Sequence, residues 1–436
     1  MQNAPSTFAL SVIVIAIAGC AHGGSASSSL PVLAHAGPPA GNTTTYKVLY
    51  SFKGRNDSAH PEAELIVFHG KLYGTSYDGG GSGCVEHAGC GTVFEVSPSG
   101  QERVVYAFKG IGDGAHPSAA LIEMNGRLYG TTRAGGGSGC TAGCGTVFTV
   151  TLSGRERTVY SFHGGMDGSS PAAGLLAVDG ALYGTTEYGG NAACSQGCGT
   201  VFDVMPFAGK ETIVYGFQGG SDGYHPTAAL IAVNGEFYGT TESGGFVSSG
   251  SDYGCVYYSP GCGTIFKVSP AGKERIVYTF DWSFDNPSGG ATPTASLIYT
   301  NRKFYGTTIL GGTNGNATMF GPGCGTVFAM AASGELKYIH IFQKVNSYYC
   351  KAATPSGLTL DNGSLYGTTQ HPGTIFMLGL SGGIAYLHEF TGGIDGDLPL
   401  AGVVAGPNGL LYGTTYQGGT ACREKVGCGT VFEVLP

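Results

Sequence analysis

An all-β chain closed as a seven-bladed β-propeller is what this sequence predicts, and three observations predict it. The string Leu/Phe-Tyr-Gly-Thr occurs seven times, beginning at Leu72, Leu128, Leu182, Phe237, Phe304, Leu365 and Leu411. Each copy is followed by Gly-Thr-Val/Ile-Phe, beginning at Gly91, Gly145, Gly199, Gly263, Gly325, Gly373 and Gly429. The repeat is also out of phase with the chain ends. It opens with a fourth strand, residues 46–52, that has no first three, and closes with a third strand, residues 429–434, that has no fourth. Units of this kind bury their apolar faces only against their neighbours. An N-terminal strand that completes the last blade removes the open edge. An open solenoid is the alternative, but it has no use for a split blade.

The unit that begins at Pro117 shows how each element is read. Residues 119–124 form a short apolar strand, and Asn125-Gly126 is a two-residue hairpin signal. Residues 127–132 form the second strand, followed by a Gly-rich loop carrying a cysteine pair. Residues 145–151 form the third strand, and Ser153-Gly154 turns into a fourth at 157–162. Many strand positions are apolar on both faces, as in a sheet covered on both sides. Blades begin near Pro61, Pro117, Pro171, Pro226, Pro293, Pro355 and Pro399. The repeat fills residues 46–436, so the 436 residues count as one large domain rather than the two or three that length alone allows.

Composition narrows the partners. Charged residues are 11% of the chain, against a usual value of about 25%. Hydrophobic residues at 42% and aromatics at 11% argue for a packed core despite 79 glycines. The formal charge of −8 is thinly spread, with no basic patch, which excludes nucleic acid as a partner class. No metal or cofactor is predicted, and a closed ring predicts a monomer.

The N-terminus reads as an address. Residues 8–19 are apolar apart from Ser11, too short to span a bilayer and suited to a signal-peptide core. The stretch ends in Ile17-Ala18-Gly19-Cys20, which resembles the lipobox of bacterial lipoproteins. That resemblance implies a signal peptide over 1–19, cleavage before Cys20 and lipidation of its thiol. An ordinary secretory signal is the alternative, since the stretch before the apolar core carries no Lys or Arg. Residues 20–45 then form a flexible Ser/Gly/Ala/Pro tether. The chain is expected at the bacterial cell envelope, periplasmic or on the cell surface, held to the membrane by its lipid alone.

Thirteen cysteines less Cys20 leave an even set. Five local pairs are Cys84/Cys90, Cys140/Cys144, Cys194/Cys198, Cys255/Cys262 and Cys422/Cys428. In an exported chain these read as disulfides. Structural zinc is the rival, but it needs four ligands and each pair offers two. Cys324, in the blade 5 loop, and Cys350, in the linker that leaves blade 5, are expected to bond as well, because four-strand geometry puts both on one face.

The unit Leu-Tyr-Gly-Thr-Thr, Gly-Gly, Gly-Thr-Val-Phe and Val-Tyr-x-Phe is similar to the GloVer repeat of bacterial choice-of-anchor tandem-repeat proteins. The likeness covers about residues 46–436. It implies an exported, surface-anchored protein and brings no established activity or catalytic residues. Blade 6 departs from the pattern with a short Gln370-His371-Pro372 loop that lacks cysteine, and blade 5 keeps only Cys324.

Two sets of candidate residues fall on the face that carries the cysteine loops and the inter-blade linkers. The first is a linker ring. Asp57, Asp113, Asp167, Asp222 and Asp395 stand four residues before a proline, and His60, His116 and His225 directly before one. Asp57, His60, Asp113, His116, Asp222 and His225 are the candidates for acid–base chemistry. Turn capping by the aspartates is the competing and plainer reading. The second set is aromatic: Tyr253, Tyr257 and Tyr258 in the long blade 4 loop, Trp282 and Phe284 in the next linker, Phe320, and Tyr348 and Tyr349. Aromatics on inserted loops suit a ligand patch on blades 4–6 for carbohydrate or a protein partner. The alternative is that they pack on one another over the blade tops. No HExxH or P-loop pattern supports an enzyme. The functional expectation is therefore a non-catalytic, surface-anchored binding or scaffold module. A glycan hydrolase or lyase using the linker ring, and a purely structural spacer, are the alternatives.

Overall fold

The structure, a computed structural model, describes residues 45–81, 83–84, 89–137, 139–245, 255, 261–282, 288–312, 323–343, 353–420, 422 and 426–436. Seven antiparallel four-stranded sheets form the blades. Blade 1 runs Ile66–Phe68, Lys71–Ser76, Thr92–Val96 and Glu102–Ala107. Blade 7 is assembled from both ends of the domain: Val404–Ala405, Leu411–Thr415 and Thr430–Val434 are joined by Tyr46–Ser51. Tyr46 faces Val434 and Ser51 faces Thr430, so the N-terminal strand closes the ring.

The repeated letters have distinct jobs. The glycine of Tyr-Gly-Thr faces the phenylalanine of Gly-Thr-Val-Phe on the neighbouring strand. A Cβ at Gly74 would stand 2.6 Å from Phe94 Cζ, and one at Gly184 would stand 2.5 Å from Phe202 Cζ. The first threonine reaches into the next blade, with Thr75 Oγ1 donating to the Ala119 carbonyl at 3.0 Å and Thr131 Oγ1 to the Ala173 carbonyl at 3.1 Å. The second threonine pairs inside its own blade, as Thr132 Oγ1 does with Thr146 Oγ1 at 2.8 Å. Among the first threonines Thr240 is the exception, its buried hydroxyl being without a partner among the described residues.

Phenylalanines join one blade to the next. Phe52 meets Phe94 edge-on at 5.0 Å, which ties the last blade to the first. Phe108 with Phe148, Phe162 with Phe202, and Phe217 with Phe266 repeat the contact at 4.9 to 5.0 Å. The remaining seams use Phe280 with Phe328, Phe342 with Phe376, and Phe390 with Phe432 at 5.3 to 5.5 Å. Each edge-to-face pair contributes about 0.5–1.5 kcal/mol beyond the burial of its area. The apolar core is therefore a ring of seams rather than one central mass.

Two details differ from the expectation. The first strand of blade 2 begins at Ile122, not at 119. Ala119 gives its carbonyl to Thr75 of the preceding blade, so this stretch bonds across the seam before it joins its own ladder. Short two-stranded ladders also tie linkers to cysteine loops, as Ser58–Ala59 does with Asp78–Gly79.

Five disulfides join Cys84–Cys90, Cys140–Cys144, Cys194–Cys198, Cys255–Cys262 and Cys422–Cys428. Cys324 is disulfide-bonded too; its expected partner Cys350 lies outside the described residues, as do Cys20 and residues 1–44. This density of disulfides belongs to an oxidising compartment. Among the described residues no helix is long and apolar enough to cross a membrane.

Candidate functional site

Each linker delivers the chain to the inner strand of the next blade through a residue in the left-handed region. His60, His116, Ser170, His225, Thr292, Thr354 and Leu398 have φ between 51° and 59°. Such values are uncommon for residues other than glycine and need support. Two backbone bonds supply it. The N–H of His60 donates to the Cys428 carbonyl at 2.9 Å, and the His60 carbonyl accepts from Tyr77 N–H at 3.0 Å. The same bracket holds His116 with Arg133, Ser170 with Glu187, and His225 with Glu242. Every blade thus presents two side chains at one place near the axis: one before the proline and one after the two threonines. On blades 1–4 these pairs are His60/Tyr77, His116/Arg133, Ser170/Glu187 and His225/Glu242. On blades 5–7 they are Thr292/Ile309, Thr354/Gln370 and Leu398/Tyr416, with no charge among them.

Asp78 organises the charged half. Its carboxylate sits 2.8 Å from His60 Nδ1 and 3.8 Å from His116 Nδ1. His60 stacks on Tyr416 at 4.7 Å and His116 on Tyr77 at 4.4 Å, so both imidazoles are fixed in plane. Arg133 pairs with Glu187, which also accepts the Ser170 hydroxyl at 3.3 Å. Burial pushes the Glu62 carboxyl up to about 7, with Arg133 and His60 pulling it back and Asp78 adding to the rise. Burial and then Glu187 raise Glu242, while burial lowers His225.

Below this rim the axis is lined at one repeat position by Glu64, Ala120, Gly174, Ala229, Ser296, Gly357 and Gly402. Small residues let the inner strands approach: a Cβ at Gly174 would lie 3.6 Å from Ala229 Cβ, and one at Gly357 would lie 3.4 Å from Gly402 N. Glu64 is the one acid in this set. It reaches to blade 6, where Thr359 donates to it at 3.0 Å, and burial raises it to about 7.

The structure separates the aspartates of the predicted ring from its histidines. Asp57 accepts from Tyr50 Oη at 2.8 Å and from Lys53 N–H at 2.9 Å. Asp113 accepts likewise from Tyr106 and Lys109 N–H, and Asp222 from Tyr215 and Gln218 N–H. Their carboxylates cap turns and anchor a tyrosine of the outer strand. His60 and His116 meet Asp78 instead, while His225 lies beside Tyr188 and Tyr224. Of the aromatic set, Trp282 is half-buried against the blade 4–5 core, its backbone N–H donating to Cys262 Sγ at 3.3 Å. Tyr253, Tyr257, Tyr258, Phe284, Phe320, Tyr348 and Tyr349 lie outside the described residues.

Asp78, Glu62, Glu64, Arg133, Glu187 and Glu242 were not singled out by the sequence reading. The signal was there: a charge follows the Thr-Thr directly on blades 2–4, and one residue after the Thr-Ser on blade 1, and this stops at blade 5. Chemically, an aspartate-oriented imidazole beside a carboxyl that titrates near neutrality can exchange protons with a bound molecule. The same groups can simply hold one by hydrogen bonds. Among the described residues no group of three or more His, Cys, Asp or Glu is placed to hold a metal ion.

Fold and rim together define a disulfide-pinned, seven-bladed propeller with one polarised face. The chain belongs to the Gloeobacter/Verrucomicrobia repeat family, which it matches over residues 38–257 and 248–432. No curated protein matches it. Among solved structures it is similar to virginiamycin B lyase from Staphylococcus aureus, with TM-score 0.55, 13% identity, and coverage of 90% of this chain and 99% of that one. A streptogramin B lyase structure is similar at TM-score 0.53 and 13% identity, over 90% and 97% of the two chains. At this identity the likeness concerns the fold alone.

Proposed function

We propose that the chain is an exported, surface-anchored binding module, tethered through a lipidated Cys20, that holds a carbohydrate or protein ligand against its disulfide-loop face. One contrast supports the reading. The two rim positions carry His60/Tyr77, His116/Arg133, Ser170/Glu187 and His225/Glu242 on blades 1–4, with Asp78 next to Tyr77, and only residues without formal charge on blades 5–7, while the Tyr-Gly-Thr and Gly-Thr-Val/Ile-Phe strands beneath barely vary. Packing would constrain all seven copies alike, so a difference confined to the rim points to a ligand.

Trp282 is the sole tryptophan and serves as the reporter. Its fluorescence is titrated in the oxidised protein against polysaccharides and cell-wall fragments, with Asp78→Asn and Arg133→Gln as rim variants. Saturable binding weakened by the rim variants supports the module. No binding to any probe leaves the structural spacer.

The His60–Asp78 pair beside Glu62 favours a second reading, a glycan hydrolase or lyase; two propellers of this fold are named as lyases. Turnover abolished by Asp78→Asn with folding intact would establish it.

A further inference from the structure

A cavity of about 540 Å³ opens between the disulfide loop of blade 3 and the linker into blade 4. Its walls include Tyr188, Tyr224, His225, Ser195, Gln196 and Gly220. The volume falls within the range of about 300–1,000 Å³ typical of small-molecule sites. The geometry points to a binding site for a neutral carbohydrate at this seam. The inference rests on the binding-module reading and narrows it to one ligand class and one place.

The rings are specific to this seam. Where blade 3 has Tyr188, the other blades have Asp78, Ala134, Ser243, Leu310, His371 and Gln417. Where the blade 4 linker has Tyr224, the others have Ala59, Ala115, Ser169, Ala291, Ala353 and Asp397. The repeat therefore does not need an aromatic at either position, and here it has both. The two tyrosines flank His225 edge-on, with centroids 5.0 and 4.8 Å from its ring. Burial and then the neighbouring Glu187 carboxylate raise the Tyr188 hydroxyl to about 12. The opposite wall is held by the Cys194–Cys198 disulfide and by Gly189 N–H donating to the Gln196 carbonyl at 2.9 Å. The cavity is thus preformed, which lowers the ordering cost of binding.

Aromatic walls stack on the C–H faces of a sugar ring, and polar groups at the edge meet its hydroxyls. Ser195 and Gln196 stand exposed at that edge. Burial lowers His225, so its imidazole is neutral near pH 7 and can both donate and accept. No Lys or Arg lines the cavity; the Glu187 carboxylate, paired with Arg133, and the Glu242 carboxyl stand close to Tyr188 and His225. That charge pattern disfavours uronates and phosphosugars.

The test is calorimetric titration of the oxidised chain with neutral gluco-, xylo-, manno- and chito-oligosaccharides, with oligogalacturonate as the anionic probe. Ala193→Trp, on the exposed wall, fills the cavity without touching the core; Tyr188→Ala removes one ring. The expected result is binding of a neutral series, weakened at least tenfold by each variant. Preference for oligogalacturonate overturns the ligand class. Neutral binding that survives both variants but is lost in Asp78→Asn overturns the cavity and keeps the module, with its ligand at the rim. Absence of binding by every oligosaccharide overturns the inference, and the Trp282 titration then decides separately whether the face binds anything.

Discussion

Tyr46 lies flat on His388, with ring centroids 3.7 Å apart and planes 2° from parallel. This contact joins the first strand of the domain to the outer strand of blade 6. The Tyr46 hydroxyl also donates to the Asp395 carbonyl, and its ring meets Phe390 edge-on at 5.7 Å. At four other seams the position of Tyr46 is taken by a glutamate, and that of His388 by a tyrosine. The closing seam therefore substitutes a stacked pair for a polar one, at the place where no covalent linker joins the N-terminal strand to blade 7.

Tyr46→Ala is accordingly expected to lower unfolding stability by about 2–3 kcal/mol, the lower end of aromatic truncations because the ring is only partly buried. Tyr46→Phe keeps the stack and loses only the hydroxyl bond, so it should cost about 1 kcal/mol. Urea unfolding measures both. Deleting the chain through Ser51 exposes the edge of Thr430–Val434 and should increase aggregation, measured by light scattering.

Gly184 tests the packing rule behind the repeat. A Cβ there would lie 2.5 Å from Phe202 Cζ and 3.0 Å from Leu175 Cδ2. Gly184→Ala is expected to cost about 1–3 kcal/mol through overpacking. Phe202→Leu should be less harmful in the Gly184→Ala background than alone, because shortening the ring makes room for the methyl. Simple additivity in that double-mutant cycle would show that the glycine serves backbone freedom and not the ring.

The disulfides close very short loops, four residues apart for Cys140–Cys144. Chain entropy for such a loop gives about 2 kcal/mol. Cys140→Ala with Cys144→Ala should lower stability by about that amount in oxidising buffer. With reductant present, the variant and the parent should differ by less than they do without it.

Much of this was legible because the repeat carries it. Tyr-Gly-Thr-Thr and Gly-Thr-Val-Phe fix strands, seams and ring closure, and the split blade at residues 46–52 announced how the ring shuts. The rim was harder to read. Asp57 and His60 lie three residues apart, yet Asp57 turns to Tyr50 and Lys53 while His60 turns to Asp78, eighteen residues on. Spacing along a linker does not reveal which way a left-handed residue aims its side chain. Glu64 was hidden for another reason: it looks like one more polar residue in an inner strand, and only closure of the ring brings Thr359 to it.

The outer seams predict the response to pH. Glu102 lies against Asp57 and Tyr50, and burial, then Asp57, raises it to about 8 despite Lys53 and Arg103. Glu156 beside Asp113 and Tyr106 rises to about 7, with Lys109 and Arg157 opposing. Glu211 beside Asp167, Asp203 and Tyr160 rises to about 8, and Glu274 beside Asp222 and Tyr215 to about 7. One oxygen of Glu102, of Glu211 and of Glu274 is buried without a hydrogen-bond partner, which is why the charged form is disfavoured. In each case the folded carboxyl holds its proton above the unfolded value of 4.5. Between that value and about 8 the folded state therefore binds more protons than the unfolded chain, and stability falls as pH rises. His225, His340 and His388, all lowered by burial, act the other way, but only as pH falls through 6.5. From 6.5 up to about 8 the glutamates are unopposed by these histidines. The melting temperature is expected to be lower at the alkaline end of that window than at its start. Combining Glu102→Gln, Glu156→Gln, Glu211→Gln and Glu274→Gln should flatten the curve and raise the alkaline value. An unchanged slope in that quadruple variant would remove the seams as its cause and leave Glu62 and Glu64, both near 7, to account for it.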